Sequence, residues 1–170
     1  YSQGRGHYYA IKDIRNTLRT GVPQPATCWT CKSTDVPRLM NEMGVEKFYK
    51  QKWADLGHEV VNAIGCQDCH EPKTMNLRIT RPALAEAFQR QGKDVNNSTH
   101  QEMRSLVCAQ CHVEYYFKGE GKYLTFPWDG GITVEKMEQY YDEINHVDYV
   151  HAISKTPILK AQHPDWEVSQ

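Results

Sequence analysis

The sequence predicts a mainly α chain with long loops and little or no sheet. Three observations lead there. Apolar residues recur at three- and four-residue spacing in several short stretches. No stretch alternates convincingly between apolar and polar residues. Mean hydropathy is -0.71 and hydrophobic residues make up 39% of 170 positions, a thin protein core for what is, by length, a single domain. An interior this poor in side chains calls for some other apolar filling.

The elements follow in chain order. Ala10 to Arg19 reads as a helix with Ala10, Ile11, Ile14 and Leu18 on one stripe and Gly21 as its stop. Asp35 and Pro37 start a second, through Val36, Leu39 and Met40, ending near Gly44. Val45 to Val61 continues helically with a break around Gly57. Pro82 opens the next, Ala83 to Gln91, closed by Gly92. Thr99 and Glu102 form a capping-box pattern ahead of Met103, Leu106 and Val107, on a helix that would carry Cys108 and Cys111 about one turn apart. Gly119 to Gly131 reads as loop, Val134 to Ile144 as the last helix, and Ser154 to Asp165 as extended or irregular.

The cysteines supply the missing filling. All six fall in three Cys-x-x-Cys pairs: Cys28-Trp29-Thr30-Cys31-Lys32, Cys66-Gln67-Asp68-Cys69-His70 and Cys108-Ala109-Gln110-Cys111-His112. Cys-x-x-Cys-His is the attachment sequence of c-type haem: the thiols form thioethers with the porphyrin and the next residue ligates iron. A zinc ribbon would pair two such units and strand the third. A redox dithiol needs a strand–turn–helix setting that is missing here. Disulfides within each pair would close tiny loops and stabilise little. Covalent haem at three sites, a multihaem cytochrome c fold, is the expected architecture. The pairs lie 38 and 42 residues apart with unlike flanks, so they are no repeat array.

His70 and His112 can each supply one axial ligand. A second must come from the remaining histidines, His7, His58, His100, His146, His151 and His163. Iron with histidine on both sides is closed to small ligands and suits electron transfer. The first pair ends instead in Lys32, which binds iron only as the neutral amine. By itself this motif leaves two readings open: Lys32 as ligand, or Lys32 solvated with the ligand elsewhere. Arg15, Arg19 and Lys32 cluster near the first pair in a way that suits a small anion, although for any one arginine on a helix a solvated face is the stronger reading.

The formal net charge of -1 says little about partners, and no nucleic acid is expected among them. No apolar run approaches the roughly 20 residues of a spanning helix, and the start lacks the charged and apolar regions of an export signal. Because such haem is attached outside the cytoplasmic membrane in bacteria, a mature or trimmed periplasmic chain is expected.

Several segments together carry a family resemblance. They are Arg5-Gly6-His7, the run from Asp13 to Gly21, Cys-Trp-Thr-Cys-Lys, the run from Cys108 to Phe117, Phe126-Pro127-Trp128-Asp129, and Leu159-Lys160-Ala161-Gln162-His163-Pro164. On these the chain resembles the ammonia-forming pentahaem cytochrome c nitrite reductases over nearly its whole length. The resemblance implies nitrite bound at the open face of the Lys32 haem, in a pocket of Arg19, Tyr115 and His163. It implies one calcium ion held by Glu114, Gln162 and the carbonyls of Tyr115 and Lys160, and His7 as distal ligand to the haem of His112. It further implies that these residues form a single catalytic domain cut from a longer chain with five haems, a homodimer when complete, and a membrane-linked or soluble cytochrome as electron donor. The alternatives are a multihaem electron carrier without a substrate of its own, or a related reductase of hydroxylamine or sulfite.

Overall fold

A computed structural model describes residues 5–16 and 24–159. Seven short α-helices, four 3-10 turns and two small hairpins make up the regular structure among them. The helices are α1 (Ala10–Arg15), α2 (Val36–Met43), α3 (Val45–Lys50), α4 (Trp53–Leu56), α5 (Pro82–Arg90), α6 (His100–Ala109) and α7 (Val134–Glu143). β1 (Tyr116–Lys118) pairs antiparallel with β2 (Tyr123–Thr125), and β3 (Tyr149–Val150) with β4 (Pro157–Ile158). This is the mainly α, loop-rich chain that the sequence predicts. No helix among the described residues is long and apolar enough to cross a membrane.

Local chemistry accounts for most boundaries. Pro37 stands in the first turn of α2, where its missing N–H costs nothing. Gly44 ends the helix at φ +88°, a conformation glycine adopts without strain. In α6 the capping box forms as written: Thr99 Oγ1 accepts from Glu102 N, and Glu102 Oε2 accepts from Thr99 N at 2.7 Å.

Four boundaries differ from expectation. Helix α1, expected to run to Arg19, ends at Arg15, where Asn16 caps it with its N–H donating to Lys12 O and Asp13 O, both at 3.2 Å. The break in Val45–Val61 falls first at Gln51 and Lys52, which are extended. Tertiary pairing takes the backbone there: Ala26 N donates to Gln51 O at 2.9 Å and Trp53 N to Gln24 O at 2.7 Å. Helix α6 stops at Ala109, so Cys108 and Cys111 are related by a closing turn, with Cys111 N donating to Cys108 O at 3.1 Å. The expected loop at 119–131 is partly a hairpin, β1–β2, turned by Gly119 and Lys122 at positive φ. Three-residue strands are too short for alternation to register.

The core runs through the first attachment sequence. Trp29 is fully buried and stacks on Trp53, and its Nε1 donates to Trp53 O at 3.0 Å. Phe48, Val60, Leu84, Leu124, Phe126 and Trp128 complete the interior. Behind Lys32 the chain is pinned to residues 61–62. Asp35 Oδ2 accepts from Val61 N at 2.9 Å and Asn62 N at 2.8 Å, Oδ1 accepts from Asn62 Nδ2 at 3.0 Å, and Ser33 Oγ donates to Asn62 O at 2.6 Å.

Burial opposes ionisation of Asp35, but the hydrogen bonds from Asn62, Val61 and Ser33 outweigh it and hold the carboxyl below its ordinary 3.8. A depressed folded pKa gives stability that is present above the unfolded value and lost as the pH falls through the folded one. Asp35→Asn should therefore lower the stability of the holoprotein at pH 7 by about 1–2 kcal/mol. The gap to wild type should close as urea melts are taken below pH 3.8.

Candidate active site

The first attachment sequence is a 3-10 turn, Ala26–Trp29, continued so that Lys32 N donates to Trp29 O at 2.9 Å. With Trp29 turned into the core, Cys28, Cys31 and Lys32 are left half-buried around a cavity of about 170 Å³. Tyr115, Trp53 and Cys111 complete its principal lining. The fold thus brings Lys32 and Tyr115, far apart in sequence, to one space with the thiols of the first pair. No two of the six cysteines are joined in a disulfide. A hydrogen bond from Cys111 brings the Cys31 thiol down to about 7 against its desolvation, with Lys32 and Arg81 contributing positive charge, while Cys111 is raised well above its ordinary value.

Arg15, read from sequence as part of an anion-binding cluster, is otherwise engaged. Its Nη2 donates to Gly57 O and to Val60 O, the latter at 2.7 Å. It ties α1 to the chain after α4. Arg19 and His163 lie outside the described residues.

The second attachment sequence is likewise a 3-10 turn, Cys66–Asp68, and His70 N donates to Cys66 O at 2.8 Å. His70 Nδ1 stands 2.8 Å from Met75 O. Donation from Nδ1 to that carbonyl fixes the tautomer that leaves Nε2 as the metal-binding nitrogen. Sequence reasoning missed the loop that supplies the carbonyl. Glu71 accepts from Lys73 N and Thr74 N, each at 2.8 Å, and closes a tight turn with Met75 at φ +63°. A Glu followed two and three residues on by donors, just after a ligand, is the signal that could have found it.

The third attachment sequence ends α6 and turns back through His112 N donating to Cys108 O at 2.9 Å. The ring centroids of His7 and His112 lie 6.1 Å apart with their planes inclined at 34°. Two imidazoles on opposite sides of one metal, each with a bond of about 2 Å, stand about 6 Å apart centre to centre. The donor chemistry and this spacing fit a six-coordinate haem iron.

Of the residues expected around calcium, Glu114 is buried and accepts from Tyr141 Oη at 2.8 Å. Burial and the Glu114 charge push the Tyr141 phenol far up, so it remains a donor. Tyr141 in turn stacks on His146. Lys160 and Gln162 lie outside the described residues. Among the described residues no three His, Cys, Asp or Glu side chains gather around a metal-sized point. A site with one carboxylate and several carbonyls is not of that kind.

Comparison with known proteins gives a consistent picture. The chain is 70% identical to the cytochrome c-552 of Parabacteroides distasonis and 67% identical to that of Bacteroides thetaiotaomicron, in each case over all of its own length. It is 51% identical to the cytochrome c-552 of Aliarcobacter butzleri over 98% of its length. It spans 36–37% of the length of these curated relatives. Its fold superposes with a TM-score of 0.85 on the catalytic subunit of the cytochrome c nitrite reductase of Desulfovibrio desulfuricans, a structure described in terms of two calcium sites. That match has 38% identity and covers 96% of this chain and 39% of the other. The cytochrome c552 family model matches residues 1–170, and the chain belongs to that family.

Proposed function

We propose that this chain is the catalytic portion of a periplasmic, ammonia-forming cytochrome c nitrite reductase. It would carry nitrite to ammonium by six electrons at a haem ligated by Lys32. The observation that carries the reading is the cavity where Lys32, Tyr115, Cys28 and Cys31 meet, with lysine where the other two attachment sequences have histidine. The likeness to the Desulfovibrio enzyme supports it. Because the chain spans little over a third of its relatives, the proposal extends to the whole protein: a single domain over these residues with three haem c and one calcium, two further haems in the complete chain, a homodimer, and a membrane-linked or soluble cytochrome as electron donor.

The balance is NO2⁻ + 8 H⁺ + 6 e⁻ → NH4⁺ + 2 H2O. Haem held by Cys28 and Cys31 would supply an iron for nitrite and electrons for its reduction. The chain's own residues do the rest. Lys32 would hold that iron as the neutral amine, since only this form has a lone pair to offer. Arg19 offsets the negative charge of nitrite and donates hydrogen bonds to its oxygens. Protonated His163 donates to the oxygen that leaves as water. Tyr115, on the cavity wall, orients the substrate and can donate a proton. Glu114 and Gln162, with the carbonyls of Tyr115 and Lys160, suit a hard cation, which would anchor the segments bearing Tyr115 and His163. Tyr141 holds the Glu114 carboxylate in place.

Two measurements on the full-length, haem-loaded protein test this. With an excess of reduced donor, one ammonium should appear per nitrite and six electrons consumed. His163→Ala should cut turnover by about 10²–10⁴-fold with a much smaller change in nitrite affinity, whereas Arg19→Ala should damage both. Near-wild-type rates in both variants would remove these residues from the pocket. Separately, chelation of calcium, or Glu114→Ala, should depress turnover and leave the absorbance of the covalently held haem unchanged. Full activity in a calcium-free preparation would refute the calcium role.

A further inference from the structure

Arg81, the residue before α5, is an arginine whose side chain is 0% exposed. Its Nε donates to Thr30 O and its Nη2 to Ser33 O, both at 2.8 Å. Nη1 donates to Thr80 Oγ1 at 2.6 Å and lies 2.6 Å from Asp68 Oδ1, a close charge contact rather than an aligned hydrogen bond. Its backbone N–H donates to Gln110 Oε1 at 3.2 Å, and Gln110 Nε2 donates to Asp68 O at 3.0 Å. Thr30, Asp68 and Gln110 are the third residues of the three Cys-x-x-Cys units. One buried guanidinium and its neighbours therefore touch the same position of every attachment sequence.

The contacts are not equivalent. The two carbonyls that Arg81 grips, Thr30 O and Ser33 O, bracket Cys31 and Lys32. A histidine ligand is oriented through its second nitrogen, as His70 is by Met75 O. Lysine has one nitrogen, on a flexible four-carbon stem, and once that nitrogen is on a metal its two N–H bonds lie at the metal and cannot hold the stem as a second ring nitrogen holds an imidazole. Its direction must be set from the backbone. We propose that Arg81 is a positioning residue for Lys32: its planar fork fixes the Thr30–Ser33 backbone so that the lysine amine is delivered to the iron carried on Cys28 and Cys31. This rests on the reading of Lys32 as an axial ligand.

The test uses the full-length holoprotein and reads haem ligation rather than turnover. Haem per polypeptide is measured by pyridine haemochrome, and the ligand sets by low-temperature electron paramagnetic resonance and magnetic circular dichroism. Arg81→Lys keeps the charge facing Asp68 and loses the fork. Asp68→Asn keeps the fork and loses the charge. Arg81→Lys should load all its haem, keep the bis-histidine signals and lose the wild-type lysine-ligated signal from most molecules. Asp68→Asn should melt at a lower temperature with the lysine signal intact. A wild-type lysine signal in Arg81→Lys, or equal damage to it in Asp68→Asn, would overturn the proposal. Should Arg81→Lys not accumulate, Thr80→Val, which removes only the hydroxyl aligning Nη1, should broaden the same signal, and an unchanged signal there would overturn it equally. A wild-type protein with no lysine-ligated signal would instead overturn the Lys32 reading itself, and this inference with it.

Discussion

A guanidinium cannot be taken out of water without replacing the water, and this fold does so at the point where three stretches of sequence converge. Arg81 exchanges hydration for two main-chain carbonyls, a threonine hydroxyl and the Asp68 carboxylate. Thr30 and Ser33 lie in or just after the first attachment sequence and Asp68 in the second, so the charge is satisfied only when those two stretches are correctly placed against Arg81. The arrangement of the attachment sequences depends on this closure. Helices of four to ten residues could not define it, since such lengths have little independent stability.

The periphery is organised by the same economy of main-chain groups. Asp35 gathers the amides of residues 61 and 62, Glu71 those of 73 and 74, and Gln110 those of 80 and 81. Each polar side chain does for a loop what ladder hydrogen bonds do for a sheet. A chain with only two two-stranded hairpins among its described residues still holds its loops in defined shapes. That matters because every expected iron ligand among those residues lies outside the seven α-helices: His7 and Lys32 in or after 3-10 turns, His70 before a loop, His112 just past α6.

Much of this was legible in the sequence, for physical reasons. Pro37, Pro82, Gly44, Gly92 and the Thr99–Glu102 pair act through local geometry, and the helices they bound lie where expected. The Cys-x-x-Cys units are equally local, and Lys32 stands out against His70 and His112 without any structure. What could not be read is what depends on distant partners. The break at Gln51 and Lys52 exists because residues 24–26 claim that backbone. Arg15 looked like an anion ligand, but its partners are carbonyls more than forty residues away. Arg81 stands in no motif, and only folding reveals that it meets Asp68 and Gln110, matching residues of two attachment sequences. The meeting of Tyr115 with Lys32 came from family resemblance, not from spacing, and the cavity accords with it.

The contact between Cys31 and Cys111 bears on the order of biosynthesis. These sulfurs belong to different attachment sequences, yet the fold sets them side by side, with Cys111 and the neighbouring positive charges lowering the Cys31 thiol. A folded chain that met an oxidant with both thiols still free would be poised to couple them, locking two sites with one wrong covalent bond. Attaching the porphyrins before the chain closes would remove that hazard, because a sulfur already held in a thioether has no thiolate with which to form a disulfide.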